Sequence, residues 1–228
     1  MSNPYTANQH IHYNSRDYHA YDGRQNCHDL WDGYDRMFYN LETKNSVALD
    51  FATGLARNII LYQKLFKRID GIDISNEAIE ESRRRCIVAG LDSNLYVCNG
   101  YDLDVISDAQ YDIVFSTIAL QHIARYSIRF NYYKEFYRVL KPGGWLTAQV
   151  GSSLAQPYPP CNHVDYYDDR EDIPVNSDSM IPNIDYLIDD LTKRLKFINF
   201  SYETVEPQIT NDIRGNHPEW LFFRAQKA

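Results

Sequence analysis

Three aspartates stand where short apolar runs give way to small or polar residues. Asp50 precedes Phe51-Ala52-Thr53-Gly54-Leu55-Ala56-Arg57-Asn58, Asp73 lies in Asp70-Gly71-Ile72-Asp73-Ile74-Ser75, and Asp102 follows Asn99-Gly100-Tyr101. Small residues after Asp50 let the backbone turn tightly and approach a ligand closely. The helix that follows points its amide-rich end at whatever lies there. Asp73 comes about 20 residues after that turn, where an acidic side chain can accept hydrogen bonds from both hydroxyls of a ribose. Asp102 can accept from an adenine exocyclic amine. Further along, His122 in Leu120-Gln121-His122-Ile123 offers a neutral imidazole suited to taking a proton at physiological pH. The chemistry implied is the holding of a nucleoside-bearing cofactor beside a proton acceptor. Each residue also has a structural alternative: Asp50 as a loop brace, Asp73 as a helix cap, Asp102 as a turn residue, His122 as the opening of a helix.

Elements able to place these groups can be read from periodicity. Short apolar strands are predicted at 46–50, 69–74, 95–98, 111–116 and 145–150, and helices at 57–66, from Ser75 as N-cap to Gly90 as stop, and 123–140. Lys141-Pro142-Gly143-Gly144 is a sharp turn. Strands alternating with helices indicate an α/β domain, a doubly wound, mostly parallel sheet covered on both faces. Helical spacing returns at Ile184, Leu187, Ile188, Leu191 and Leu195, and 197–205 and 220–225 should close a seven-stranded sheet as an antiparallel hairpin. Residues 1 to about 28 are polar and lack clean periodicity; Leu30, Tyr34, Met37 and Leu41 then recur at helical spacing. Residues 152–181, rich in Pro, Ser, Asp and Tyr, read as a lid. The chain is thus read as one domain over 1–228: an N-terminal arm and helix to 44, a cofactor-binding core over 45–150, the lid, and a C-terminal helix and hairpin from 182.

Bulk composition narrows the partners. The net charge of −8 is unfavourable for a surface that tracks phosphates, so nucleic acid is not expected as a partner. Arg83-Arg84-Arg85 reads as a solvated helix face. Cys27, Cys86, Cys98 and Cys161 include no C-x-x-C pair, and Cys86 and Cys98 read as small core residues. No signal-like or membrane-spanning apolar run is visible, which makes reduced cytoplasm the default expectation. Tyrosine is abundant at 19 residues, suiting a pocket both apolar and hydrogen-bonding.

The ordered set of segments resembles the class I S-adenosylmethionine-dependent methyltransferases. Residues 47–58 resemble the family's D-x-G-x-G-x-G loop in its "DFACGTGRN" form, Asp73 its ribose ligand and Asp102 its adenine-contacting acid. Tyr111-Asp112-Ile113 through His122 resembles the fourth-strand motif, and Leu140 to Gly144 the turn before the fifth strand. The resemblance spans about 45–150 and implies a Rossmann-like fold with S-adenosylmethionine as cofactor. It implies cofactor contacts by Asp50, Ala52, Thr53, Gly54, Asp73, Ile74, Asp102, Leu103, Ser116 and Thr117. It implies no metal. Ala52 and Ala56 replace loop glycines, Thr53 takes the usual cysteine place and Leu55 replaces a small residue; alanines at negative φ would give a slightly tighter pocket.

Catalysis then needs alignment of a nucleophile and, where required, removal of its proton, for which His122 is the candidate. The acceptor expected is the O or N of a small polar molecule, a sugar or sugar nucleotide first. A non-catalytic scaffold of the same fold, a tRNA or protein methyltransferase, and a nicotinamide-dependent oxidoreductase are the alternatives; the last lacks its G-x-G-x-x-G pattern. His163, Asp165, Tyr166 and Tyr167 in the lid are a second-rank cluster, read as substrate contact or a solvated loop, their spacing not being diagnostic of a metal site; Tyr18, His19 and Tyr21 in the arm are candidates to close over the cofactor. Oligomeric state is not legible.

Overall fold

In the computed structural model, which describes residues 3–15, 34–154, 163–205 and 219–228, the predicted strands lie side by side in one sheet. They are β1 (Val47–Phe51), β2 (Arg68–Asp73), β3 (Leu95–Val97), β4 (Tyr111–Thr117), β5 (Leu140–Ser152), and the later β8 (Ile198–Val205) and β9 (Glu219–Gln226); between them come the short β6 (His163–Val164) and β7 (Asp178–Ser179). The sheet order is β3-β2-β1-β4-β5-β9-β8. β1 through β5 run parallel, while β9 is antiparallel to both β5 and β8. This is the mixed, mostly parallel sheet expected, with its hairpin at the edge. Strand order reverses between β1 and β4, so their carboxyl ends open the crevice where such folds bind ligands.

Helices cover both faces because the strands are apolar on both. α1 is Pro4–Asn14, α2 Tyr34–Phe38, α3 Arg57–Tyr62, α4 Asn76–Val88, α5 Tyr126–Val139 and α6 Ile184–Ile188. One face buries Leu49, Phe51 and Val114 with Ile128, Tyr132 and Phe136 of α5. The other buries Ala48, Ile113 and Phe115 with Met37 and Phe38 of α2 and Ile59 and Tyr62 of α3. Ser75 caps α4 as expected, its hydroxyl accepting from the Ala78 amide at 3.2 Å. Arg83, Arg84 and Arg85 pair with Glu80 and Glu81 on the same helix face, and Cys86 and Cys98 are buried.

Several expectations need correction. The N-terminal arm is helical over Pro4–Asn14, with Asn3 as N-cap and Pro4 at the first position. Its buried side chains are Tyr5, Thr6 and Gln9, a mixed polar set that hydrophobic periodicity cannot register. α5 begins at Tyr126, not 123, because Leu120–His122 forms a separate 3-10 turn. Lys141 to Gly144 does not precede the fifth strand but interrupts it. Tyr111 pairs with Leu140 and Ile113 with Trp145, so the intervening residues bulge out. The helical run after Ile184 changes to a π turn over Asp189–Arg194. There the buried Asp190 accepts from the hydroxyls of Tyr126 and Tyr166, both at 2.8 Å. Residues 163–181 are packed down: β6 pairs with β7, and Tyr166, Ile173 and Ile181 join the core. Cys27, Leu30, Cys161, Tyr18, His19 and Tyr21 lie outside the described residues. Among the described residues no helix is long and apolar enough to cross a membrane.

Candidate functional site

The loop after β1 is held from β2 and α4. The Thr53 amide donates to the Ile72 carbonyl at 3.0 Å, and Ser82 on α4 donates to the Gly54 carbonyl at 2.6 Å. The Gly54 amide donates to Asp73 Oδ2 at 2.9 Å, and the Ser75 amide to Asp73 Oδ1 at 2.9 Å. Asp73 therefore ties the first turn to the start of α4. Gly71 makes this closeness possible: a β-carbon there would come within 2.9 Å of Thr53, Ile59 and Leu95 side-chain atoms. Burial raises the carboxyl of Asp73 above its ordinary range, opposed by the amides of Ser75 and Gly54.

Backbone conformation in this loop departs from the expectation. Ala52, Gly54 and Ala56 all have left-handed φ, +59°, +54° and +58°. The two alanines thus keep the glycine-type bend instead of narrowing the pocket at negative φ. A β-carbon in that region costs roughly 1–2 kcal/mol per residue. Ile118, just past β4, is also left-handed at φ +53°. For a β-branched residue that is a true outlier. Strained residues thus flank the switch point at both strand ends, the usual setting of ligand clamps.

Asp50, fully buried, accepts from Thr53 Oγ1 at 2.8 Å and Asn58 Nδ2 at 3.3 Å. Asn58 also donates to Thr117 Oγ1 at 3.0 Å, so one amide bridges β1 and β4. Burial drives the Asp50 carboxyl up to about 7, with Thr53, Asn58 and Arg57 lowering it and Asp73 raising it. Ser116 is fully buried and donates to the Phe51 carbonyl at 3.2 Å. Asp50, Thr53, Asn58 and Thr117 form one network, and Gly54 and Asp73 a second joined to it through the loop.

The remaining predicted positions stand apart from those networks. Asp102 is half-buried in a loop held by Asn99, which donates to it at 2.7 Å. Leu103 is packed in the core, and its amide donates to Glu135 at 3.0 Å. Ile74 is half-buried, and its side chain lies 2.8 Å from where a β-carbon on Gly100 would be. His122 presents Nδ1 to Asp178 of β7 at 2.5 Å, leaving Nε2 as its other ring nitrogen. In the lid group, Tyr166 is a core residue, while Asp165 and Tyr167 are exposed.

Residues that pattern reading missed complete the site. α1 lies over it: Thr6 sits 3.3 Å from where a β-carbon on Gly100 would be, Asn14 accepts from Ser75 at 2.9 Å, and the Tyr5 hydroxyl accepts from the Ala124 amide at 2.9 Å. Gln9 donates to that hydroxyl at 2.9 Å and to the His122 carbonyl at 3.3 Å. α1 thus roofs the loops after β2, β3 and β4. The available signal was the Asn3-Pro4 start, an N-cap followed by proline at the first helical position.

Gly54 fits a close ligand: a β-carbon there would meet nothing within 4 Å, so the space above the loop is open. Both Asp73 oxygens accept from backbone amides, and a carboxylate's roughly four lone-pair sites leave capacity for a ribose hydroxyl. The donor and acceptor set therefore fits an adenosine-bearing cofactor.

Comparison with known proteins agrees. Residues 48–144 match the family model described as a methyltransferase domain. A malonyl-[acyl-carrier protein] O-methyltransferase of Marinomonas sp. (strain MWYL1) is 31% identical over 112 residues, which is 48% of this chain and 38% of that protein. The chain thus spans well under half the length of that relative. A SAM-dependent methyltransferase from Aquifex aeolicus superposes with a TM-score of 0.63 at 13% identity, covering 94% of this chain and all of that one. A phosphoethanolamine N-methyltransferase 2 from Haemonchus contortus, in complex with phosphomonomethylethanolamine and S-adenosylhomocysteine, superposes with a TM-score of 0.62 at 17% identity. It covers 86% of this chain and 53% of that one.

Proposed function

Because residues 48–144 form a methyltransferase domain of the class I, S-adenosylmethionine-dependent family, we propose that this chain transfers a methyl group to an O or N atom of a small polar acceptor. The observation that carries the reading is the left-handed Ala52–Gly54–Ala56 bend, locked to Asp73 through the Gly54 amide at the switch point. When bound, the cofactor supplies a methyl already activated on a sulfonium. The chain's own residues do the rest. Asp73 holds the ribose through its free lone pairs, and the Ala52 to Gly54 backbone and Asp50 hold the amino-acid end. Ser116 and Thr117 line the space beside the methyl. α1, through Thr6, Tyr5 and Gln9, excludes water from above. The main catalytic contribution is alignment of the acceptor atom. His122 accepts the acceptor's proton at Nε2, and Asp178 fixes the ring by holding Nδ1. Ile74 and Asp102 contribute to the adenine side; Leu103 does not, because its side chain is in the core, its amide donates to Glu135 and its carbonyl accepts from Arg138 and the Ile106 amide.

A sugar or sugar nucleotide is the acceptor class the reading favours, and the charge of −8 argues against a nucleic-acid acceptor. Calorimetric titration with S-adenosylhomocysteine tests the cofactor assignment. Asp73→Ala should weaken binding at least tenfold, and unchanged affinity in that variant would refute it.

A further inference from the structure

Among the described residues, two buried carboxamides, Gln121 and Gln149, have neither nitrogen nor oxygen paired with a hydrogen-bonding partner. Gln149 is fully buried and Gln121 is 1% exposed. Native interiors satisfy nearly all such groups, so two whole side-chain amides left open point to a ligand. Their positions agree. Gln149 on β5 is in register with Thr117 on β4, and paired residues on neighbouring strands share a face. Gln149 thus continues the polar row that starts at Asp50 and passes through Asn58 to Thr117. Gln121 lies on the 3-10 turn that packs against β5 and β7. With three residues per turn, Leu120 enters the core, His122 meets Asp178 of β7, and Gln121 takes the third direction. The strained Ile118 lies in the chain between Thr117 and the turn that carries Gln121. Ser152 Oγ is also unpartnered, but strand alternation puts it on the opposite face of β5 from Gln149, and it carries no part of the argument.

Resting on the methyltransferase reading above, we propose that Gln121 and Gln149 form the recognition edge of an acceptor subsite at the carboxyl ends of β4 and β5, and that it takes a neutral hydroxylated or amide-bearing group. A carboxamide both donates and accepts, so its partner must do both. A carboxylate only accepts and would leave both glutamine oxygens unpaired. It would also face the Asp50, Asp73 and Asp178 carboxylates in a chain of charge −8. A hydroxyl pair or an amide satisfies both ends of each side chain.

The test uses the full chain, with Gln149→Met and Gln121→Met as separate variants. Each removes an orphan amide while keeping shape, so each should raise Tm in the free protein by about 2–4 °C. S-adenosylhomocysteine affinity should stay within about threefold of wild type. Saturation-transfer NMR with that cofactor product present should show N-acetylglucosamine bound to wild type and lost from Gln149→Met, with malonate giving no signal in either. A fall in Tm for both variants means the amides are satisfied in the free protein and overturns the proposal. So does N-acetylglucosamine binding that is absent or indifferent to both substitutions, or malonate binding that depends on Gln149. Wild-type chain that fails to bind S-adenosylhomocysteine overturns the methyltransferase reading instead, and the subsite then stands or falls on the melting and probe results.

Discussion

Replacing Asp50 with asparagine should make the free protein more stable, increasingly so as pH rises. Asp50 is fully buried, and its carboxyl titrates at about 7 against 3.8 in the unfolded chain. A raised folded value means the native state holds its proton longer. The favourable contribution is complete below about 3.8 and is lost as pH climbs through about 7. Each unit corresponds to 1.36 kcal/mol, so the 3.2-unit gap (7 minus 3.8) amounts to about 4 kcal/mol against folding above neutrality. The same linkage gives only about 2 kcal/mol near pH 5, so the penalty grows by roughly 2–3 kcal/mol between about pH 5 and about pH 8. Asparagine keeps the geometry: its oxygen can accept from Asn58, and its amide can donate to Thr53 Oγ1, which accepts as readily as it donates. The assay is urea unfolding of Asp50→Asn and wild type across that pH range. The advantage of the variant should widen toward alkaline pH while its affinity for S-adenosylhomocysteine falls. A variant less stable than wild type at about pH 8, or a gap that does not change with pH, would refute the reasoning. A residue that lowers stability where it stands, at a position proposed to hold the cofactor, is the expected trade between stability and function.

The remaining predictions follow from the same geometry. Ala56→Gly should stabilise the chain by about 1 kcal/mol or less, the strain relief of about 1–2 kcal/mol being partly offset by glycine's extra unfolded-state entropy; destabilisation in urea would show that the left-handed bend is unstrained. Tyr5→Phe strips the partner from the buried Ala124 amide and should cost about 1–3 kcal/mol, with faster hydrogen exchange over Pro4–Asn14 and weaker cofactor-product binding; unchanged exchange there would dissociate Tyr5 from the roof. Asp178→Asn should lower kcat more than KM and alter the pH profile of turnover, with His122→Ala losing about 10²–10⁴-fold if the imidazole takes the proton; near-normal turnover in both would leave alignment as the whole mechanism.

The amino-acid sequence by itself determined the strand and helix alternation, the seven strands with a hairpin at the end, and the placing of Asp50, Gly54 and Asp73 at or just past strand ends. Those features are local. Period, caps and the spacing between a strand end and the next acid are set by neighbours along the chain. The φ of Ala52 and Ala56 was not local: left-handed alanine is held only because Asp73, the Ile72 carbonyl and Ser82 grip the loop from β2 and α4. Asn58 falls inside the loop segment, yet its bridge to Thr117 exists only once β1 and β4 are adjacent. The pairing of His122 with Asp178, 56 residues apart, and the roofing of the site by α1 from over 100 residues away have no sequence period to betray them. Gln121 and Gln149 look like ordinary surface amides in the sequence. Only tertiary packing, which removes water from them and supplies no partner among the described residues, makes them informative.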